Sequence, residues 1–579
     1  MLAAGLTLTG CKAKKTDAPA TGSAGAPAGS TSAGSAPATA APATAAGGAV
    51  QDLPIVTDCP KSLGGTEKVA RTIKKACGPI TVTETLVIDG SLTLEAGVVL
   101  KFQPDTELVV GYHGAAKLII QGGDAPDQRV LLTSAGDQAA GVWKGISLDE
   151  GADRSQITGL DLEYAGAPDG AALRLHDVTD VTLTKSTIKH AKTHGIATRG
   201  KVTFAQCAGN ELDDVGKLAI SVEPSTVGSL GSGHKLGPDA VIEIREGTVD
   251  SDATWPNLGV PYQISATVYV ESQGAMALTI AGATLVFATD AELIVGYHAR
   301  GKLKITGPAV LTSIDGKPGT WRGLRIDDRG EATIEGATFS SGGSADSGVL
   351  TVKRSGKVTL GEVTFKDNTR GLWVDDQGGL TAPKPLTFRG NERAAHLSAT
   401  GLGALTAANV YDDGQIIEIV GGELRADTTW LTQAKAAVQV LDDVMVEGGF
   451  TLTISAGGTY LWKPGTGVTV GYHGPGSLKI AGRADAPVVL GTQVKGEPWK
   501  GIDLDTSARS TELAHVQLAD VGGEAGVIAK NGAAGKLDHV SCARCAATVA
   551  PACGAKLDTS AAVTAGAETK VAIVKPTGC

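Results

Sequence analysis

Residues 100–122 read LKFQPDTELVVGYHGAAKLIIQG, residues 285–307 read LVFATDAELIVGYHARGKLKITG, and residues 460–482 read YLWKPGTGVTVGYHGPGSLKIAG. Three copies of one pattern in a single chain mark an internal repeat, which has to be read before any local motif. An aromatic residue stands ten positions before each Tyr, namely Phe102, Phe287 and Trp462. Further on, Trp143-Lys144-Gly145-Ile146, Trp321-Arg322-Gly323-Leu324 and Trp499-Lys500-Gly501-Ile502 follow one another at intervals of 178 residues. Residues 157–175 align without a gap on residues 334–352. The chain after residue 50 is therefore one large unit used three times, over 51–245, 246–422 and 423–579.

Inside each unit runs a smaller period. Phe365 and Phe388 are 23 residues apart, as are Asn368 and Asn391, within VTFKDNTRGLWV and LTFRGNERAAHLS. Each is a short run of alternating apolar residues broken by Gly, Asn or Asp, the signal of strand, turn, strand. Short strands returning every 20–25 residues, with no helical pattern between them, predict an all-β chain folded as a parallel β-solenoid. Composition agrees. Of 579 residues 79 are Gly, against only seven Phe, seven Trp and eight Tyr; corners take Gly, and a narrow interior takes Val, Ile, Leu and Ala. Collagen is excluded because Gly lacks a three-residue period, general disorder because 42% of residues are hydrophobic and only 19% charged, and a polytopic helical membrane protein because no apolar run is long enough. A net charge of −10, with 51 basic and 61 acidic residues, speaks against a nucleic-acid partner. Coils of about 23 residues at about 4.8 Å each give a column on the order of 100 Å long.

The segments SLTLEAGVVLKFQPDTELVVGYHGAAKLIIQGG, VLLTSAG and GVWKGISL resemble the right-handed parallel β-helix domains of the pectate-lyase-like superfamily, especially those of bacterial surface proteins. The resemblance spans nearly all of residues 80–550. It implies the fold more strongly than any function, since lyases, hydrolases and adhesins share it. A lyase would need a basic Lys or Arg and acidic residues holding calcium on neighbouring coils. Paired carboxylates occur at Asp213-Asp214, Asp327-Asp328, Asp375-Asp376, Asp412-Asp413 and Asp442-Asp443, but adjacent strand residues face opposite ways, so these pairs are expected in solvated turns. No nucleophile elbow or phosphate-cradling loop is present, no cofactor is expected, and calcium enters only with the lyase alternative.

The N-terminus reads MLAAGLTLTG before Cys11. Leu8-Thr9-Gly10-Cys11 resembles a bacterial lipobox, so residues 1–10 are expected to be the remnant of a lipoprotein signal peptide and Cys11 the lipidated residue. It departs from that family in having a short apolar stretch and no basic segment before it. Lys12 rather than Asp after the Cys implies an outer-membrane destination, on its periplasmic or cell-surface side, with the membrane held through the lipid. Residues 12–50 are almost entirely Ala, Pro, Gly, Ser and Thr, which cannot offset chain entropy, so 11–50 is expected to be a disordered tether. Cys59 and Cys77 flank Val69, Ala70 and Ile73 at helical spacing, and are expected to form a disulfide around a helical N-terminal cap. Cys542, Cys545, Cys553 and Cys579 fit either a zinc site or, for an exported chain, two disulfides in a C-terminal cap. Cys207 reads as a buried thiol, and the metal-like spacing of His190 and His194 falls on strand and turn, where the two do not converge.

The Gly-Tyr-His triplets are the recurring polar feature. Tyr112, Tyr297 and Tyr472 offer stacking faces and His113, His298 and His473 hydrogen bonds to a sugar; read structurally, Gly supplies a positive-φ turn and the rings cover the coil edge. Trp143, Trp321 and Trp499 are candidates of the same kind, with coil closure as their structural reading. The expected function is a non-catalytic cell-surface lipoprotein whose β-helix binds glycans or proteins. The alternatives are a polysaccharide lyase or glycoside hydrolase, which would concentrate a unique acidic and basic cluster in one unit, and a structural envelope spacer.

Overall fold

A computed structural model describes residues 53–166, 170–216 and 218–576. The expectations for the leader, Cys11, the tether and Cys579 lie outside the described residues. Every strand-to-strand ladder is parallel, and the chain winds through about 21 rungs of a β-solenoid. Outside two wider rungs described below, each rung carries up to three short strands, and side chains alternate in and out: Ser91–Glu95 buries Leu92 and Leu94, and Lys117–Gln121 stacks Leu118 and Ile120 directly upon them. Leu, Ile and Val of successive rungs thus fill a single continuous core. Each such side chain contributes about 1.5–3 kcal/mol by leaving water.

One face of the column runs through all three units. It comprises Ala70–Ile73, Ser91–Glu95, Lys117–Gln121, Gln156–Thr158, Val181–Thr184 and Phe204–Ala208, then Ala253–Trp255, Leu278–Ala281, Gly301–Thr306, Gly330–Glu335, Lys357–Gly361 and Gly379–Thr381, then Thr428–Trp430, Thr451–Ser455 and Ser477–Ala481. Short 3-10 turns, Val227–Ser229 and Gly401–Ala404, pack between its segments. The other faces change over. At Lys235–Leu236, Ile242–Ile244, Gly247–Val249 and Ala253–Trp255 one rung holds four strands; the first ends its ladder, and the third and fourth begin new ones. The same happens at Val410–Tyr411, Gln415–Ile419, Gly422–Glu423 and Thr428–Trp430. Trp255 and Trp430 lie fully buried at these handovers, and their bulk fills the wider four-strand cross-section.

The 23-residue period is a ladder of identical contacts. Phe339, Phe365, Phe388 and Tyr411 stack with ring centroids 5.8, 5.1 and 5.1 Å apart. Beside them Asn368 Nδ2 donates to Asn391 Oδ1 (2.8 Å) and to the Phe339 carbonyl (3.1 Å), and Asn391 Nδ2 donates to the Phe365 carbonyl (3.0 Å). Buried amides at a corner persist because each finds a partner on the next rung.

Two expectations need correction. Residues 62–73 are strands, Ser62–Glu67 and Ala70–Ile73, and only Lys75–Cys77 is helical, as a 3-10 turn. The apolar spacing there suited a helix, but ladder bonds such as Arg71 opposite Leu92 and Ile73 opposite Leu94 override local propensity. Asp327, expected in a solvated turn, is 2% exposed, because it caps the end of Gly323–Ile326 beneath Arg325 and Arg354. Cys59 and Cys77 form a disulfide, as do Cys542 and Cys545, and Cys553 is disulfide-bonded too. Cys207 is a buried free thiol whose pKa burial pushes up to about 12.

Candidate functional site

Each Gly-Tyr-His triplet follows the strand that precedes the continuous face in its rung, Glu107–Val110, Glu292–Val295 or Gly467–Val470, and turns the chain toward that face. Gly111, Gly296 and Gly471 have φ of 80°, 76° and 77°. A Cβ on them would sit 2.4, 2.2 and 2.2 Å from the backbone nitrogens of Ala152, Gly330 and Ala508 on the next rung, so the corner admits only Gly. The turn throws the next two side chains outward: Tyr112, Tyr297 and Tyr472 are 65%, 39% and 55% exposed.

The histidine beside each tyrosine is held by a carboxylate from the preceding rung. His113 Nδ1 lies 3.0 Å from Asp89, His298 Nδ1 2.9 Å from Glu271, and His473 Nδ1 3.4 Å from Glu447. The main-chain N–H groups of His298 and His473 donate to the other oxygen of Glu271 and Glu447, at 2.7 and 3.0 Å. Burial pushes the Glu271 carboxyl up, but the hydrogen bonds from the His298 main chain and ring and from Ala299 outweigh it and hold the group below the usual carboxylate range. Each imidazole meets its tyrosine edge-on, with centroids 4.9, 4.3 and 4.3 Å apart. A fixed aromatic face beside a fixed ring N–H suits a polar ligand with one apolar side. The corners lie seven rungs apart along the continuous face, from Lys117–Gln121 to Gly301–Thr306 and on to Ser477–Ala481. At about 4.8 Å per rung the interval is about 34 Å.

Trp143, Trp321 and Trp499 belong to the core and not to a ligand surface. All three are fully buried. They stack on Phe102, Phe287 and Trp462 with centroids 4.0, 4.0 and 4.9 Å apart, and their Nε1 groups donate to the carbonyls of Glu163, Ser340 and Ala519. Their inward-pointing position follows from strand parity, which a Trp-Lys-Gly or Trp-Arg-Gly string does not reveal.

The units differ on the outward side of the strands that precede the triplets, Glu292–Val295 and its neighbours Gly323–Ile326 and Leu350–Val352 in the second unit. In the second unit a groove of about 420 Å³ is lined by Asp290, Glu292, Arg322, Arg325, Asp346 and Lys353. Arg325 also lies over the Tyr297 ring, 5.1 Å from its centroid, and Tyr269 stacks against Tyr297 at 6.4 Å. In the third unit Lys530 stands 6.0 Å from the Tyr472 centroid. Tyr269, Glu271 and Trp373 escaped sequence reading, because the partners of a corner sit one or more rungs away at uneven separations. His190 stacks on Tyr164 and its Nδ1 lies 2.6 Å from Asp214. Among the described residues no group of three or more His, Cys, Asp or Glu could hold a metal ion, and no helix is long and apolar enough to cross a membrane.

Fold and site together define a parallel β-solenoid with a thrice-repeated aromatic corner. No protein family, curated protein or solved structure matches the chain.

Proposed function

We propose that the chain is a non-catalytic binding surface for glycans or proteins, displayed by a lipid-anchored envelope protein. One observation carries this: an exposed tyrosine with a carboxylate-braced histidine recurs at seven-rung intervals along one continuous face. Three weak contacts in one rigid body raise overall affinity through effective concentration. A ligand that repeats along its length, such as a polysaccharide, exploits that spacing. The Leu8–Cys11 string and the Ala, Pro, Gly, Ser and Thr run after it support lipid attachment at the outer membrane. Membership of the right-handed pectate-lyase-like superfamily is part of the same proposal, supported by the parallel coils and the segments quoted above. A glycan array probed with the wild type and with Tyr112→Ala/Tyr297→Ala/Tyr472→Ala tests the binding surface. Loss of the bound glycans in the triple variant is expected, and unchanged binding removes the tyrosines from the account.

A second reading, polysaccharide cleavage, is favoured by the groove in the second unit, where burial pushes the Glu292 carboxyl up against the opposing pull of Arg325. It predicts reducing ends from a glycoside hydrolase or ultraviolet-absorbing unsaturated ends from a lyase with calcium added. Neither product appearing across a panel of neutral and acidic polysaccharides dismisses it.

A further inference from the structure

We propose that the outward face of the second unit is a one-per-chain binding groove for a neutral oligosaccharide. The inference rests on the glycan side of the function proposed above and narrows it to one unit and one ligand class. Strand register places Tyr269, Ile294, Arg325, Thr351, Trp373 and His396 on successive rungs of a single outward column. The matching column is Val87, Val109, Ser147, Arg174 and Ala197 in the first unit. In the third it is Met445, Thr469, Asp503, Ile528 and Ala550. Only the second unit therefore carries aromatic rings in this column, with Tyr269 and Trp373 four rungs, or about 19 Å, apart and Ile294, Arg325 and Thr351 between them.

Trp373 is the only tryptophan that is not buried. It is fixed in place: its Nε1 donates to Asp375 (2.7 Å), its ring stacks on His396 at 3.8 Å, and His396 Nδ1 lies 2.9 Å from Glu418. In the first unit Ala197 stands where the second has Trp373, and Arg174, in the place of Thr351, pairs with Glu107 and donates to the carbonyls of Lys144 and Ala171. In the third unit Gly467 and Ile528 line a hollow where the second has Glu292 and Thr351.

The chemistry of the groove selects the ligand. Its three carboxylates, Asp290, Glu292 and Asp346, balance its three cations, Arg322, Arg325 and Lys353. Arg322 lies 3.6 Å from Asp290, and Arg325 lies 3.5 Å from Glu292 and 3.4 Å from Asp327. No net positive charge remains to hold an anion, whereas alternating donors and acceptors suit vicinal hydroxyls. Arg325 Nε is buried between the Glu292 and Asp327 carboxylates, which holds the guanidinium in place in the groove. Tyr269 and Trp373 stand in the column on either side of Arg325 and Thr351, within reach of a saccharide lying along it, and Arg370 stands 4.8 Å from the Trp373 centroid.

The test is isothermal titration of the full chain with cellohexaose, maltohexaose and mannohexaose, and with hexagalacturonate as the charged counterpart. A neutral hexasaccharide is expected to bind at one per chain. Arg325→Ala and the near-isosteric Glu292→Gln should each weaken it at least tenfold, and Asp137→Ala, an exposed position outside both groove and corners, should leave it unchanged. Circular dichroism of each variant shows that the column is intact. Three equal sites per chain, a preference for hexagalacturonate, or full affinity in both groove variants overturns the groove while leaving the corner surface standing. Absence of binding to every one of these saccharides overturns the groove, and an empty glycan array in addition overturns the glycan reading itself.

Discussion

Gly296 has no room for a methyl group, with φ at 76° and the next rung's backbone 2.2 Å from where a Cβ would sit. Gly296→Ala is expected to cost about 1–3 kcal/mol, read as a lower urea midpoint, while Gly414→Ala, also at positive φ but with nothing within 4 Å of its Cβ, should cost less. Glu271 sets a pH dependence. Its folded pKa is depressed, so its stabilising contribution is present above the unfolded value of about 4.3 and is lost as pH falls through the folded value. The gap in urea midpoint between wild type and Glu271→Gln should be open at pH 7 and close in acid; a gap of constant size would show that the ionised carboxylate is not what braces His298. At this scale the triplet itself was legible, because the need for Gly and the outward Tyr-His follow from a tight corner. The braces were not: Asp89, Glu271 and Glu447 precede their histidines by 24, 27 and 26 residues, and coil lengths that vary by a few residues hide such pairs from a fixed-offset search.

At the scale of elements, the repeat gave strands and their period because a solenoid reuses the same inward positions. Asn391 illustrates what holds rungs together besides apolar burial. Removing it leaves the Asn368 main-chain and side-chain donors without their Asn391 acceptor, so Asn391→Ala is expected to lose about 1–3 kcal/mol, and hydrogen exchange should rise first in the amides of rungs 364–374 and 387–397. Trp321→Ala should cost about 3–5 kcal/mol, where substitution of a surface ring would cost little. The handover rungs were not legible. Four strands in one turn differ from three by a single extra pair or triplet such as Gly422–Glu423, too short for any periodicity, although the strings SDATW at 251–255 and ADTTW at 426–430 mark both places with a buried Trp. The N-terminal helix failed for the opposite reason: three residues, Val69, Ala70 and Ile73, satisfied a helical spacing that ladder pairing then overruled.

Over the whole column, identical corners return every seven rungs, while the face beside them crosses the two sheet handovers through the 3-10 turns Val227–Ser229 and Gly401–Ala404. The triplication places like beside like, and the second unit departs from it on its outward face, through Tyr269, Arg325 and Trp373. Short neutral saccharides should therefore report on the second unit, and long polymers on all three corners together. The central claim is that the three tyrosine corners act jointly on one extended ligand. It is tested most directly by surface plasmon resonance of the chain over an immobilised polysaccharide identified from the array, comparing wild type with single, double and triple Tyr→Ala variants at 112, 297 and 472. The account predicts progressive weakening with each tyrosine removed, reaching at least a tenfold loss in the triple variant. Equal affinity across the whole series would contradict it.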